Sequence, residues 1–280
     1  MKTLNRMKVC AVPQYSTQNP FHTWLADAHS QSPAPVSALM SGVLLSVAFS
    51  ALLRVKSVVD RALGTGFLRT GLLIIGLLTV LIAASLLVVQ TDFKRMLAYS
   101  SMENMGLVAV AAAAGTELAI AALLLHVLAH GIGKAVVFLA AGQLQAAHDS
   151  TAIGDVTGVL ARSPLIGTAF AVGLAVLLGL PPFAMFASEL SISRALAGAN
   201  LGWALGAALP LVVVAFAALV RNGSRMLLGS PGASQPAIAV PGSVAGALLA
   251  GVILSVALGL TAGPLAQLFH IAATQLGAAP

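Results

Sequence analysis

The segment LAIAALLLHVLAHGIGKAVVFLAAG (118–142) is long and apolar, and it is interrupted by three ionisable residues, His126, His130 and Lys134. Its length of about 25 residues lets a helix cross a bilayer core of roughly 30 Å. Because the three residues are spaced by four, they form one stripe of about 12 Å along such a helix. A lysine in the middle of a membrane helix costs on the order of 3 kcal/mol to insert, so it usually faces protein or water. The segment therefore predicts a buried polar stripe inside a membrane protein.

Two interpretations of this stripe are open at the level of the sequence. Polar side chains in membrane helices can simply hold neighbouring helices together by hydrogen bonds. Histidine, however, is the side chain whose charge changes near neutral pH, and two of them followed by an ammonium group one turn away favour a proton relay.

The composition of the whole chain indicates a polytopic membrane protein built of helices. Of its 280 residues, 59% are hydrophobic and 8% are charged, whereas a soluble domain has about 25% charged residues. Repeated uncharged runs predict an all-α fold with about six full transmembrane spans and an N-terminal partial helix. The net charge of +6 resides mostly at span ends, so it predicts contact with the lipid bilayer and not with nucleic acid.

The sequence offers no recognisable place for a cofactor. The single cysteine, Cys10, excludes an internal disulfide and any cysteine-held zinc or iron–sulfur cluster. Neither a GxGxxG loop nor a GxxxxGK[ST] loop occurs, which excludes a recognisable nucleotide site. We therefore expect no metal and no cofactor in this chain. If redox chemistry drives the protein, its redox centres are expected on other subunits.

Apolar runs and turn residues divide the chain into predicted spans. Residues 1–19 form a basic segment whose apolar run is too short for a signal peptide. A half-helix and a joint at Pro33 and Pro35 come next, with a helix starting near Pro35. Spans are predicted at 35–53, 70–90, 95–114, 118–142, 164–197, 201–220 and 240–270, of which 164–197 is expected to be broken and the others to be full. We also expect Asp92 to cap the helix of the third span.

The fifth predicted span, 164–197, is too long for one straight crossing and contains Gly179-Leu180-Pro181-Pro182-Phe183. Pro181 and Pro182 remove two backbone donors and disfavour helix at Leu180, so the helix must break there. Broken membrane helices are tolerated where they are buried in protein or line a cavity. Glu189 lies about two helical turns after this predicted break.

Positive charges in the loops predict the orientation of the chain. A basic loop carrying Arg54, Lys56, Arg61 and Arg69 is expected after the first span. Together with Arg194, these residues mark one face of the membrane. The other face collects Lys2, Arg6, Lys8, Lys94, Arg95, Arg162, Arg221 and Arg225, and we predict that it is cytoplasmic.

Five ionisable residues are expected at membrane depth: Glu103, His126, His130, Lys134 and Glu189. They come from three predicted helices and combine acids, bases and a cation that influences the charge of its neighbours, as a proton wire requires. The alternative for each glutamate is a buried ion pair with a nearby arginine or lysine. His22 and His29 are secondary candidates, and the alternative for them is hydration at the membrane interface.

Four stretches of the chain carry a likeness to a known family. They are FHTWLADAHSQSPAPVSALMSG (21–42), DFKRMLAYSSMENMG (92–106), LLHVLAHGIGKAVVFLAAG (124–142) and GLPPFAMFASEL (179–190). With them, the chain resembles the antiporter-like membrane subunits shared by respiratory complex I, Mrp-type sodium/proton antiporters and membrane-bound energy-converting hydrogenases. The SALMSG, SMENMG and LPPF…FASEL variants look most like the large membrane subunits of formate hydrogenlyase and hydrogenase-4 type complexes.

The resemblance implies discontinuous helices arranged in inverted repeats of five spans, with a hydrophilic axis at mid-membrane. On that axis it implies His126, His130 and Lys134, with Lys134 as the central lysine. Glu189 is then the terminal charged residue on the broken helix of the second repeat. Asp27, a further secondary candidate, belongs with Trp24 to the broken helix of the first repeat.

The resemblance also implies a division of the chain and a departure from the family. We expect an unmatched basic segment at 1–19, an antiporter-like proton-translocating domain at 20–197 and C-terminal spans at 198–280. Family members usually carry several further spans before the FHTWL stretch, and Tyr15 or its neighbours stand where a lysine is expected. We therefore expect the chain to be truncated at its N-terminus relative to the family, with most of the second half-channel retained.

Three functions are consistent with these features. The first is a membrane-arm subunit of a redox-driven complex of the hydrogenase or NADH:quinone oxidoreductase type in a prokaryotic plasma membrane. It would relay protons and bind other membrane and peripheral redox subunits. The second is an Mrp-type cation/proton antiporter subunit, for which Na⁺ is a possible coupling ion. The third is an inactive, truncated structural remnant.

An enzyme with an active site of its own is not expected, because no activated nucleophile or cofactor-binding motif is recognisable.

Overall fold

The computed structural model describes residues 23–229, 238–276 and 278. The basic segment 1–19 and the candidate His22 lie outside these described residues. Within them, the longer elements are helices: α1 (Thr23–Gln31), α2 (Ala34–Leu39), α3 (Leu45–Leu63), α4 (Gly66–Val88), α5 (Phe93–Ala114), α6 (Glu117–His148), α7 (Val159–Arg162), α8 (Pro164–Leu177), α9 (Ala184–Gly198), α10 (Gly202–Leu227), α11 (Gly242–Leu260) and α12 (Ala262–Gln275). A π-helical turn, Met40–Leu44, joins α2 to α3.

The predicted all-α membrane fold is confirmed. In the described part of the chain, five continuous helices are long and apolar enough to cross a membrane: Ala34–Leu63, Gly66–Val88, Glu117–His148, Gly202–Leu227 and Gly242–Leu260. Helix α5 and the α8–α9 pair pack among them. The number of about six full spans stays a prediction.

The predicted break in the fifth span is confirmed, and a second break was not foreseen. Helix α8 ends at Leu177 and α9 begins at Ala184, with the double proline between them. The prediction of one span over 240–270 is wrong, because α11 ends at Leu260 and α12 begins at Ala262. Pro264 accounts for this break, because a proline has no backbone N–H and disfavours a continuous helix through the preceding turn. Gly259 lies two residues before the break. A Cβ there would overlap the backbone of Pro182 and Phe183, so the two breaks contact each other.

The predicted basic loop after the first span is also wrong. Helix α3 continues to Leu63, so most of the predicted loop is helical, and the last of its arginines lies in α4. Within α3, Lys56 and Asp60 form an ion pair of 2.5 Å one turn apart, which compensates both charges at the helix end. Gly64, at φ +80°, ends the helix.

Helix α6 occupies the centre of the molecule. Helices α2, α5, α8, α9, α11 and α12 all pack against it. It begins at Glu117, with Thr116 accepting a hydrogen bond from the Ala119 N–H as its N-cap, and it extends to His148, beyond the predicted end at 142. Helix α5 is almost entirely buried, and its predicted cap is confirmed because Asp92 accepts a hydrogen bond from the Arg95 N–H at 2.8 Å. The two buried helices α5 and α6 therefore bring their polar residues to the interior.

Candidate functional site

The three ionisable residues of α6 are buried inside the protein. His126 and Lys134 are 0% exposed and His130 is 1% exposed. The helix carries them on one side because they are spaced by four, and neighbouring helices cover that side. The predicted polar stripe on α6 is therefore enclosed by protein, away from lipid.

Lys134 is held by uncharged groups of α5. Its Nζ donates hydrogen bonds to the Leu97 carbonyl oxygen and to Ser100 Oγ, each at 2.5 Å. The same Nζ lies 5.9 Å from the centre of the Phe138 ring, within the range of a cation–π interaction. Among the described residues Lys134 forms no ion pair with a carboxylate within 4.0 Å. The ammonium group is thus solvated by oxygens and an aromatic face.

His126 joins α5 and α9 through both of its ring nitrogens. Nε2 lies 3.0 Å from Asn104 Oδ1, and Nδ1 lies 3.0 Å from Ser188 Oγ. The Asn104 amide in turn donates to Glu103 Oε2 at 2.8 Å. A continuous hydrogen-bonded chain therefore runs from Glu103 through Asn104 and His126 to Ser188.

The direction of these hydrogen bonds limits where protons can reside. Because the Asn104 amide donates to Glu103 and to the Ser100 carbonyl at 2.7 Å, its oxygen is the acceptor that faces His126. His126 then donates through Nε2. The Ser188 hydroxyl has two acceptors within reach, the Met185 carbonyl at 2.6 Å and His126 Nδ1. It can donate to only one of them at a time.

His29 lies close to this group, although it was expected near the membrane interface. It is 0% exposed, and its ring stacks on Phe138 with a centroid separation of 4.9 Å. It is near enough to Lys134 and His130 to interact electrostatically with both. The interpretation that His29 is simply hydrated at the surface is therefore wrong. The physical reason is that α1 folds back against α5 and brings the imidazole over Phe138.

His29 and His130 share an unusual property. In the described structure, all four of their ring nitrogens are buried and lack a protein hydrogen-bond partner. Buried polar atoms are normally satisfied, so such imidazoles are typical of sites that take up water or a proton.

Glu103 and Glu189 face a common small cavity. The cavity has a volume of about 20 Å³ and is lined mainly by apolar residues of α8 and α10, which leaves room for about one water molecule. Glu103 is 6% exposed. In the part of the chain described, neither glutamate forms an ion pair. The alternative of a buried ion pair therefore does not describe either residue.

The break between α8 and α9 positions Glu189. Gly179 has φ +60°, and a Cβ at this position would overlap the Glu189 carboxylate. The absence of a side chain at Gly179 thus allows the carboxylate to pack against the backbone of the break. Pro181 and Pro182 lie in this connection and are exposed.

Asp27 lies apart from the buried group. Its side chain is 63% exposed and forms an ion pair with Arg95, whose side chain is 42% exposed. Trp24, on the same helix, is 50% exposed. Of the secondary candidates that the structure describes, His29 joins the buried group and Asp27 does not.

Sequence reasoning missed the uncharged members of this group, which are Leu97, Ser100, Asn104 and Ser188. Ser100 and Asn104 are spaced by four in the stretch AYSSMENMG (98–106), and Ser188 directly precedes Glu189. That spacing is a usable signal. Among the described residues, no group of three or more His, Cys, Asp or Glu residues has a geometry that could hold a metal ion.

This chain is similar in sequence to membrane subunits of known respiratory and hydrogenase complexes. The family profile described as "NADH:quinone oxidoreductase/Mrp antiporter, TM" matches residues 7–215. The hydrogenase-4 component F homolog of Methylacidiphilum infernorum (isolate V4) is 38% identical over 223 residues, which cover 78% of this chain and 46% of that protein. NADH-quinone oxidoreductase subunit N of Salinispora arenicola (strain CNS-205) is 32% identical over 253 residues, which cover 89% of this chain and 48% of that protein.

A solved structure agrees with the fold. A chain of the membrane-bound sulfane sulfur reductase, an archaeal respiratory membrane complex, superimposes with a TM-score of 0.84 at 28% identity. The superposition covers 92% of this chain and 52% of that chain. This chain thus spans about half the length of the proteins it matches.

Proposed function

Because the chain belongs to the NADH:quinone oxidoreductase/Mrp antiporter transmembrane family, we propose that it is a proton-translocating membrane subunit of a redox-driven complex. Protons move along a buried row formed by Glu189, Glu103, His126, His130 and Lys134. The observation that carries this proposal is the hydrogen-bonded chain Glu103–Asn104–His126–Ser188, which joins three helices in the protein interior. The Asn104 amide, which does not titrate, holds the titratable groups Glu103 and His126 in place beside each other. His29 extends the row at the Lys134 end.

The Ser188 hydroxyl supports transfer at His126. When His126 is neutral, Ser188 donates to Nδ1; when His126 carries a second proton, Nδ1 donates and the hydroxyl rotates toward the Met185 carbonyl. In both states the two ring nitrogens of His126 keep a hydrogen-bond partner, and only the bond from Ser188 to the Met185 carbonyl is made or lost. A proton can therefore arrive at His126 and leave it without an unsatisfied buried group, which would cost about 1–3 kcal/mol.

The surroundings of Lys134 support a change of charge at the other end. Its hydrogen-bond partners, the Leu97 carbonyl and the Ser100 hydroxyl, are neutral. In a buried ion pair, loss of the lysine proton would leave the carboxylate without its counter-ion. Because the hydrogen-bond partners of Lys134 are neutral, its deprotonation has no such cost. The charge of Lys134 in turn influences Glu103, with which it interacts electrostatically.

The partners follow from the relatives. The two curated relatives described above are named as a component and as a subunit of larger enzymes. We propose that this chain likewise assembles with other membrane subunits and with peripheral subunits that carry the redox centres. A hydrogenase-type or NADH:quinone oxidoreductase-type complex fits both names.

The test uses the native complex in sealed vesicles, driven by NADH or H₂, whichever the complex oxidises. Lys134→Met is expected to abolish vesicle acidification while donor oxidation and complex assembly persist. Lys56→Met is the matched control, because this lysine lies on α3, pairs with Asp60 and is outside the row, so acidification should continue. Normal acidification by the Lys134→Met complex would refute the assignment.

The same vesicles separate this proposal from an Mrp-type antiporter, which the family description also names. An antiporter would exchange Na⁺ for protons across the membrane without any electron donor. Sodium-dependent proton exchange in the absence of an electron donor, together with no donor-driven acidification, would favour the antiporter.

A further inference from the structure

A pocket of about 650 Å³ lies at the membrane face where α4 and α10 end and α5 begins. Its volume is in the range of about 300–1,000 Å³ that is typical of small-molecule sites. Its walls come from the α4–α5 link, the loop after α6 and the last turns of α10, and we call it the α10-end pocket. Five polar residues and one exposed apolar residue of its lining carry the argument: Gln90, Thr91, Thr157, Asn222, Arg225 and Leu228.

The polar side chains of this pocket have few hydrogen-bond partners in the protein. Among the described residues, the five of them form a single hydrogen bond, from Asn222 Nδ2 to the Gln90 carbonyl at 3.5 Å, which is long for such a bond. The hydroxyl groups of α4, in contrast, donate to the carbonyl one turn earlier in the helix. Thr91 and Thr157 lie in connections between helices, where this helical acceptor is not offered. The pocket therefore presents hydrogen-bond donors that a ligand can use.

Arg225 gives the pocket a positive charge. In the described part of the chain its side chain forms no hydrogen bond or ion pair. A planar guanidinium group suits the oxygens of a phosphate, which it can bind through two N–H donors at once. Asp92 and Asp155 neighbour the pocket in the chain but do not line it, and each accepts a hydrogen bond from a hydroxyl group. The charge that faces the pocket is thus favourable for an anion.

An apolar surface adjoins the same pocket. Val88 and Val89 directly precede Gln90, and Leu228 lines the pocket; all three apolar side chains are exposed. Exposed aliphatic side chains beside polar groups and an arginine are typical of the level at which acyl chains meet headgroups. A soluble phosphate compound would use the polar wall alone, whereas a phospholipid would use both surfaces.

We propose that the α10-end pocket binds the headgroup phosphate of an anionic phospholipid, whose acyl chains lie against Val89 and Leu228. Arg225 binds the phosphate, and Gln90 and Thr157 donate further hydrogen bonds. Arg225 belongs to the positive charges from which the sequence predicts the cytoplasmic face, and the cytoplasmic leaflet is the one that carries anionic lipids. The inference does not rest on the proposed proton row.

The test is photo-labelling of the native complex in lipid nanodiscs. The probe is phosphatidylglycerol that carries a diazirine at the start of one acyl chain, diluted into phosphatidylcholine. Peptide mass spectrometry then locates the label, which we expect on the wild-type peptides that contain Val89 and Leu228. Arg225→Gln should reduce this label about tenfold or more, because charge-assisted hydrogen bonds to the phosphate are lost. Thr157→Val keeps the charge of the pocket and should reduce the label about two- to fivefold.

Arg221→Gln is the matched control. Arg221 lies one turn earlier on α10, is exposed and does not line the pocket, so its replacement removes the same charge from the same membrane face. Labelling should persist in this variant. Equal loss of label in the two arginine variants, or undiminished label in both Arg225→Gln and Thr157→Val, would overturn the inference.

Two further measurements identify the source of the phosphate. Excess inorganic phosphate should leave the label unchanged, and a phosphatidylcholine probe with the same diazirine should label these peptides several-fold less. Suppression by inorganic phosphate would show that the site takes a soluble phosphate compound. Equal label from the phosphatidylcholine probe would show that the site does not select an anionic headgroup. Either result would overturn the assignment to an anionic phospholipid, and neither depends on the acidification measured for Lys134→Met.

Discussion

Ionisable residues at the helix ends and in the protein interior are treated differently by this fold. Each of the three ion pairs in the described residues, Lys56–Asp60, Arg95–Asp27 and His270–Glu117, has one member in the first or last turn of a helix, namely Asp60, Arg95 and Glu117. Among the described residues, the interior groups Glu103, Lys134 and Glu189 have no ion-pair partner, although Glu103 is only 6% exposed and Lys134 is fully buried. Burial in the membrane interior makes a charge costly, and Glu103 and Lys134 are buried there without a counter-ion among the described residues.

This difference teaches how a membrane helix can carry a group that changes charge. A counter-ion stabilises one protonation state and fixes it. A carbonyl, a hydroxyl and an aromatic face, as found around Lys134, solvate the charged state without opposing the neutral one. If the chain translocates protons as proposed, the paired charges anchor the helices and the unpaired interior groups carry the transfer.

The largest expected effect comes from giving the interior lysine a counter-ion. Ser100 Oγ lies 2.5 Å from Lys134 Nζ and is fully buried, so Ser100→Asp places a carboxylate beside the ammonium group. Deprotonation of Lys134 would then leave a buried charge uncompensated at a cost of about 3–5 kcal/mol. We expect proton translocation to fall by about two orders of magnitude or more, measured as donor-driven acidification of vesicles.

Ser100→Ala is the control for this substitution. It removes the hydroxyl but leaves the Leu97 carbonyl as an acceptor for Lys134, so most of the acidification should persist. If Ser100→Asp and Ser100→Ala acidify vesicles equally well, the absence of a counter-ion at Lys134 has no functional meaning.

A smaller effect is expected at the helix break that positions Glu189. Gly179→Ala introduces a Cβ at φ +60° that overlaps the Glu189 carboxylate. The left-handed conformation alone costs about 1–2 kcal/mol for an alanine, and the carboxylate must also move. We expect a lower melting temperature of the complex and a several-fold slower proton flux.

Gly198→Ala tests whether this effect is specific. Gly198 is the last residue of α9, it has ordinary helical conformation, and no atom lies within 4 Å of its Cβ position. Its replacement should change neither the melting temperature nor the flux. An equal response of the two variants would show that the position of Glu189 does not depend on Gly179.

Part of this arrangement was predictable from local signals in the sequence. The spacing of His126, His130 and Lys134 depends only on helical periodicity, and the break depends on Pro181 and Pro182, whose geometry acts on their immediate neighbours. The second break at Thr261 also had a local signal, Pro264, which disfavours helix at the residues just before it. The sequence could not show the close contact of Gly259 with Pro182 and Phe183, because these residues are far apart in the chain.

The polar connections within the site were not predictable, because they join residues far apart in sequence. Ser188 and His126 are 62 positions apart and meet only when α6 packs against α9. The burial of His29 likewise depends on how α1 folds onto its neighbours and on the ring of Phe138. Composition predicts that such polar groups need partners in the membrane, but helix packing selects the partners.

The smallest expected effect concerns an ion pair at the surface. Asp27→Asn removes the carboxylate that pairs with Arg95 at 63% and 42% side-chain exposure. Exposed pairs contribute about 0–1 kcal/mol, so the melting temperature of the complex should hardly change. Because Asp27 lies outside the buried row, donor-driven acidification should also be unchanged. A large loss of acidification in Asp27→Asn would break the distinction between anchoring charges at helix ends and transferring charges in the interior, since a paired surface carboxylate would then take part in transfer.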